Sequence, residues 1–303
     1  MICPDLTNLI KYQAKAQELQ KLKKHANPIS LSGNLLSKIK GQGLDFLQLR
    51  KYYPGDEIKN IDWKVTARTG QTQVKEFQID KSSQFSIIAN VGADMQFASF
   101  GRFKYLISCD LIALLCFAAS NNKENLHRYF YGNNLKKIAR FKQRNYNHIE
   151  ILKFLSTKRS LTTINKSNNL LATLQEFNSY NKESGVAFII CDFNSLITNN
   201  NKISQDIQFE IKRLSRKNYL YLCHIYDNAE TSLAGLNLGA MNFSNYDQEE
   251  FMIDSNNTEF IKEYAANHQI KLNTLNNLTK DSKIKLVNIS TDEDPLVKIA
   301  SGL

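Results

Sequence analysis

The 303-residue chain is predicted to be an α/β protein: a doubly wound, mostly parallel sheet with an N-terminal helix and a small β subdomain. Two observations predict it. Residues 85–90, 186–191 and 219–226 are short runs with apolar side chains at consecutive positions, as in strands covered on both faces. Helix-length segments stand between these runs, and such alternation is the pattern of a parallel sheet wrapped on both sides.

Along the chain, Asp5 can cap a helix over 5–26, with a partial apolar stripe from Leu6, Leu9, Ile10, Ala14, Leu19 and Leu22. Asn27-Pro28 ends it. Residues 41–81 read as short strands and turns. The α/β domain follows over 82–303, so the expected units are 1–40, 41–81 and 82–303. Within the last, 85–90 is a strand and 103–119 an apolar helix. Segments 127–131 and 137–141 are two strands joined at Gly132-Asn133-Asn134, an antiparallel edge. Helices follow at 147–155 and 169–180, a strand at 186–191, a helix at 203–217, a strand at 219–226 and a weaker one at 284–289. Residues 230–255 interrupt the alternation. Leu236-Asn237-Leu238 and 250–253 read there as short strands that pair with strands of 41–80.

Hydrophobic residues make up 42% of the chain and charged residues 22%, as in ordinary globular proteins. The longest apolar stretch, 105–119, carries Asp110 and is shorter than the ~20 residues a membrane span requires, so it is read as a buried helix. The beginning of the chain shows no secretory pattern. Five cysteines form no CxxC pair, and four lie in apolar runs, as expected of reduced thiols in a cytoplasmic protein. The five histidines lack metal-ligand spacing, and neither a GxSxG elbow nor a GxxxxGK[ST] loop occurs. The net charge of +10 is uneven: residues 1–150 hold 23 Lys/Arg against 12 Asp/Glu, residues 151–303 hold 16 against 17. A basic N-terminal half suits an acidic partner, a nucleic acid or an anionic membrane surface.

The densest information lies in 41–80. It holds Gly41-Gln42-Gly43, Asp45-Phe46, a Pro54-Gly55-Asp56 turn, Ile61-Asp62-Trp63 with the only tryptophan, Ala67-Arg68, and Val74 followed by Phe77. These elements resemble the signature of the bacterial domain-of-unknown-function 58 family. Arg50, Tyr52, Asp56, Asp62, Trp63 and Arg68 form one compact face on this reading. It is either a partner-docking face with Trp63 as aromatic anchor, or a turn-rich scaffold in which Trp63 packs and Arg–Asp pairs tie the strands.

The resemblance implies a von Willebrand factor A-like core and a role beside a MoxR-type AAA+ ATPase. Open parallel sheets bind at the carboxyl ends of their strands. In von Willebrand factor A domains those loops hold a divalent cation through an Asp-x-Ser-x-Ser sequence, a Thr and an Asp. Here Asn90, Gly92 and Asp94 stand at the first loop, Asn168 at the second, and Asp192 matches at the third. The expectation is a partner-binding rim without metal. Were Mg²⁺ retained, Asn90, Asp94 and Asp192 would be its ligands. The simpler reading of Asp94 and Asp192 is as helix caps. At the C-terminal end, Thr291 or Asp292 caps a helix that begins at Pro295.

The function expected is that of a non-enzymatic, cytoplasmic adaptor, peripheral to the inner membrane at most, that assists the ATPase in maturing or remodelling a client protein. The alternative is a basic binder of nucleic acid or anionic membrane, using Tyr52, Tyr53, Tyr129 and Tyr131. A metal-dependent hydrolase built on Asp94 and Asp192 lacks a base and a nucleophile.

Overall fold

Two runs of seven buried residues, Gln84–Asn90 and Gly185–Cys191, lie side by side at the centre of a six-stranded sheet. The computed structural model describes residues 3–17, 40–52, 58–78, 84–99, 101–121, 125–132, 139–142, 148–157, 169–181, 184–193, 203–231, 240–244, 250–254, 257–281 and 283–302.

The N-terminal helix comes in two pieces, α1 (Leu6–Ile10) and α2 (residues 12–17), with a turn at Lys11. Asp5 caps α1 by accepting from the Thr7 amide at 3.2 Å, as expected. Then come β1 (Lys40–Lys51), α3 (Trp63–Thr69) and β2 (Gln73–Gln78), with β1 and β2 antiparallel. The main sheet starts at β3 (Gln84–Asn90). It continues through α4 (Lys104–Asn121), β4 (Asn125–Tyr131), β5 (Ala139–Lys142), α5 (His148–Ser156), α6 (Leu170–Tyr180), β6 (Gly185–Cys191), α7 (Gln205–Ser215) and β7 (Asn218–Tyr226). A short α8 (Asn228–Thr231) leads to the hairpin β8 (Ala240–Ser244) and β9 (Glu250–Asp254). The chain then forms α9 (Thr258–Asn276), β10 (Ile284–Ser290) and α10 (Pro295–Gly302).

The sheet order is β10-β7-β6-β3-β4-β5, with five parallel strands and β5 antiparallel on the edge. This is the predicted doubly wound α/β core. The Asn133-Asn134 turn expected between β4 and β5 lies outside the described residues. Strand alternation divides the core in two. Phe85, Ile87 and Ala89 pack with α1, α2, α4, α5 and α10, whereas Ile88 packs with α6, α7 and the end of α9.

Helix α4 is buried at every position from 107 to 119 because the sheet covers one side and α5 and α10 the other. By length and composition it could cross a membrane, but in this fold an all-round apolar surface is what a central core helix requires. Its buried Asp110 pairs with Arg102 at 2.5 Å and also meets Tyr12 of α2. Lys15 reaches Asp294 at 2.9 Å, so the N-terminal helix is tied down by polar contacts as well as by Leu9 and Ala16.

Three expectations are corrected. The stretch read as short strands and turns contains a helix, α3, set between Asp62 and Gly70. Asp62 accepts from the Lys64 and Val65 amides, and Gly70 takes the left-handed cap conformation at φ +68°. The hairpin β8–β9 pairs with itself, and no pairing with β1–β2 occurs among the described residues; Leu236-Asn237-Leu238 lies outside them. Finally, Asp294 caps α10 through the Leu296 amide at 2.9 Å, in place of Thr291 or Asp292.

Candidate functional site

The connections β3-α4-β4 and β6-α7-β7 run in opposite directions across the sheet. The order therefore reverses between β3 and β6, and a crevice opens beyond their carboxyl ends. Asn90 closes β3, and Asp192 follows β6. Lys104 opens α4, and its side chain, 2% exposed, runs into the crevice. Its Nζ lies 2.8 Å from Glu230 Oε1 and 3.4 Å from Asp192 Oδ2, with the Phe97 ring 5.5 Å away on another side. Burial alone would lower the Lys104 pKa. The two carboxylates outweigh it and raise the pKa above the ordinary lysine value.

Glu230 is held there by a capping box. The Asp227 amide donates to Glu230 Oε2 at 2.9 Å, and Asp227 Oδ1 accepts from the Ala229 amide at 3.0 Å. Asp227 is fully buried and also accepts from the Ser99 amide at 3.1 Å, from the Ser99 hydroxyl, and from Thr291 Oγ1 at 2.7 Å. It thus joins the segment before α4 to the ends of β7 and β10. Burial would raise its pKa, and these hydrogen bonds outweigh that and hold it below the usual carboxylate range.

On the β3 side, Asn90 Oδ1 accepts from the Gly92 amide at 2.9 Å, and Asn90 Nδ2 donates to Asp94 Oδ2 at 2.6 Å. Burial, and then the neighbouring Asp192, push the Asp94 pKa up. Its Oδ1 is buried with no hydrogen-bond partner among the described residues. Gly92 sits against Gly132 after β4, where a Cβ on Gly132 would fall 2.4 Å from Gly92 Cα. Beyond Asp192, Phe193 takes φ +55° and packs edge-on to His224 at 5.9 Å. His224 also hydrogen bonds the Asp192 backbone, and burial pushes its pKa down to about 4. Burial first, and then Asp192, push the Cys191 thiol up and so disfavour its thiolate.

The structure therefore brings Asn90, Gly92, Asp94 and Asp192 together, and Asn168 lies outside the described residues. Mg²⁺ needs near-octahedral oxygen ligation. These side chains do not fit it: Asn90 turns its amide nitrogen toward Asp94, and an ammonium already lies on Asp192. Among the described residues no three His, Cys, Asp or Glu side chains are grouped to hold a metal. Asp94 lies within the 3-10 turn Ala93–Met95 and not at the head of a helix, so for it the helix-cap reading is corrected; the residues that Asp192 would cap, from 194 on, lie outside the described residues. Sequence reasoning missed Lys104, Asp227 and Glu230. The Asp-Asn-Ala-Glu run directly after β7 is a legible capping box and would have located two of them.

In the signature segment, Trp63 is the first residue of α3 and is 65% exposed. The expectation that Trp63 packs is overturned, because most of its surface lies in solvent. Asp62, the cap of α3, pairs with Lys75 of β2 at 3.3 Å, so it ties the helix to a strand through a lysine and not two strands through an arginine. Arg68 is exposed in the last turn of α3, and Tyr52 is half-buried with its amide on Thr72 O at 2.9 Å. Arg50 lies on β1, where only its backbone is described; Asp56, with Pro54 and Gly55, lies outside the described residues. Tyr129 and Tyr131, expected as nucleic-acid-facing aromatics, are instead core residues of β4. Tyr53 lies outside the described residues.

A doubly wound, mostly parallel sheet with an ion cluster at its switch point defines an α/β protein. The chain belongs to the family described as "Protein of unknown function DUF58", whose profile matches residues 48–272. Similar proteins include Rv1480 of Mycobacterium tuberculosis (strain ATCC 25618 / H37Rv) and Mb1516 of Mycobacterium bovis (strain ATCC BAA-935 / AF2122/97), both named as uncharacterized. Each is 32% identical over 69 residues, covering 23% of this chain and 22% of the relative. The match thus spans about a fifth of those proteins. Among solved structures, the SpRpn10 VWA domain aligns over 71% of this chain and 93% of its own, with 10% identity and a TM-score of 0.36.

Proposed function

We propose that this protein is a non-enzymatic adaptor that docks a MoxR-type AAA+ ATPase through the signature face around Trp63, and so assists in maturing or remodelling client proteins in the cytoplasm. The observation that carries the reading is the 65% exposure of the chain's only tryptophan on a capped, glycine-terminated helix. Trp, with Tyr and Arg, is enriched among the residues that anchor interfaces. The crevice supports it from the other direction. Its charges are paired with one another or buried, and none of those described stands free as a base beside a nucleophile.

Co-purification of the full chain from its native cell, followed by identification of partners, tests this reading. A AAA+ ATPase should be retained through moderate salt and EDTA, and Trp63→Ala should lose it while Asp94→Ala keeps it. Retention lost with Asp94→Ala and kept with Trp63→Ala would move the docking face to the strand-end rim. Salt-labile capture on DNA or anionic vesicles, with no ATPase, would replace the reading with the charge-driven alternative.

A further inference from the structure

We propose that the Lys104 ammonium is the resident cation of the switch-point crevice, standing where a divalent ion would otherwise bridge the β6 loop and α8. Two carboxylates from elements far apart in sequence converge on one nitrogen, Glu230 at 2.8 Å and Asp192 at 3.4 Å. Without a positive charge between them, the buried Asp192 and the part-buried Glu230 carboxylates repel, because the local dielectric is below that of water. The side chain that supplies the charge is 2% exposed and rooted in the first residue of α4. Its position is therefore fixed by the core helix, not by ion concentration. Phe97 closes another side of the ammonium at 5.5 Å, and Ser99, two residues on, is tied to Asp227. The segment 97–99, Asp192 at the end of β6, and α8 are thus gathered around one covalently tethered cation. A tethered ammonium is not removed by chelators and is not exchanged for Ca²⁺ or Mn²⁺, so the crevice keeps its shape at any divalent concentration.

The inference concerns the fold's own stability and stands apart from the adaptor reading, so a failed pulldown does not touch it. Thermal unfolding of the purified full chain is followed in EDTA, in Mg²⁺ and in Mn²⁺. The wild-type midpoint is expected to be the same in all three. Lys104→Met should melt lower in EDTA by about 5–15 °C, the range expected when one partner of a buried ion cluster is removed. It should recover part of that loss in Mg²⁺ or Mn²⁺, and the recovery should vanish when Asp192→Asn is added. If Lys104→Met is insoluble, its refolding from urea with and without the ions gives the same readout, with soluble protein expected only in their presence. A wild-type midpoint raised by either ion and blocked by Asp192→Asn overturns the proposal. So does a Lys104→Met chain that neither ion stabilises or refolds.

Discussion

Lys104 on α4 and Glu230 on α8 meet at 2.8 Å across 126 positions of sequence. Their contact closes the crevice at which the sheet changes direction, and the capping box between Asp227 and Glu230 aims the carboxylate at the ammonium. The immediate surroundings of this pair set the stability predictions, and the exposed face of α3 sets the binding one.

Asp227 accepts four hydrogen bonds among the described residues. Asp227→Ala removes the acceptor for Ser99, Thr291 and the Ala229 amide at once. Unfolding by urea should show a loss of about 2–4 kcal/mol, as for other buried networks left unsatisfied. Its pKa is depressed in the fold, so the contribution of its charge is present above the ordinary value of 3.8 and is lost as pH falls below it.

His224 gives a second pH dependence at a higher window. Its folded pKa of about 4 lies below the ordinary 6.5, so between these values the folded chain binds fewer protons than the unfolded one. Stability then falls as pH drops from 6.5 towards 4, by roughly 3 kcal/mol in all. In His224→Gln this part of the pH profile should flatten, measured as the urea midpoint at pH 7, 5.5 and 4.

Asp94 behaves in the opposite sense to Asp227. Burial and Asp192 raise its folded pKa, so it favours folding fully only below the ordinary 3.8 and loses that contribution as pH rises through its raised value. Asp94→Asn keeps an acceptor for Asn90 Nδ2 and drops the charge. The variant should unfold at a higher temperature than wild type at pH 7.5, with the gain disappearing at pH 4. A lower midpoint at pH 7.5 would show that the carboxylate has a partner it needs.

Trp63 separates binding from folding. With most of its surface in solvent, Trp63→Ala should change unfolding free energy by no more than about 0.5 kcal/mol. The same variant should abolish retention of the ATPase, and a parallel melting curve shows whether the loss arises from misfolding.

The sequence by itself determined the sheet. Residues 85–90, 186–191 and 219–226 had to be covered on both faces, and the intervening helices could only wrap them. That pattern also located Asn90, Asp94 and Asp192, because strand ends in such sheets converge whatever their side chains. Helix α9 was not legible, since its apolar stripe is weak and it leans on the core mainly through Leu275. Helix α3 carried a readable Asp cap and Gly stop, masked by the neighbouring Pro-Gly-Asp turn. Only the tertiary structure decided that Lys104 faces Glu230 and that Trp63 faces water. A lysine at the head of an apolar helix gives no local sign of a carboxylate 126 positions away. Whether an aromatic ring is core or surface depends on what the rest of the chain lays against it. Local pattern fixes which segments must be buried; charge pairing and exposure are settled by which segments the closed fold makes neighbours.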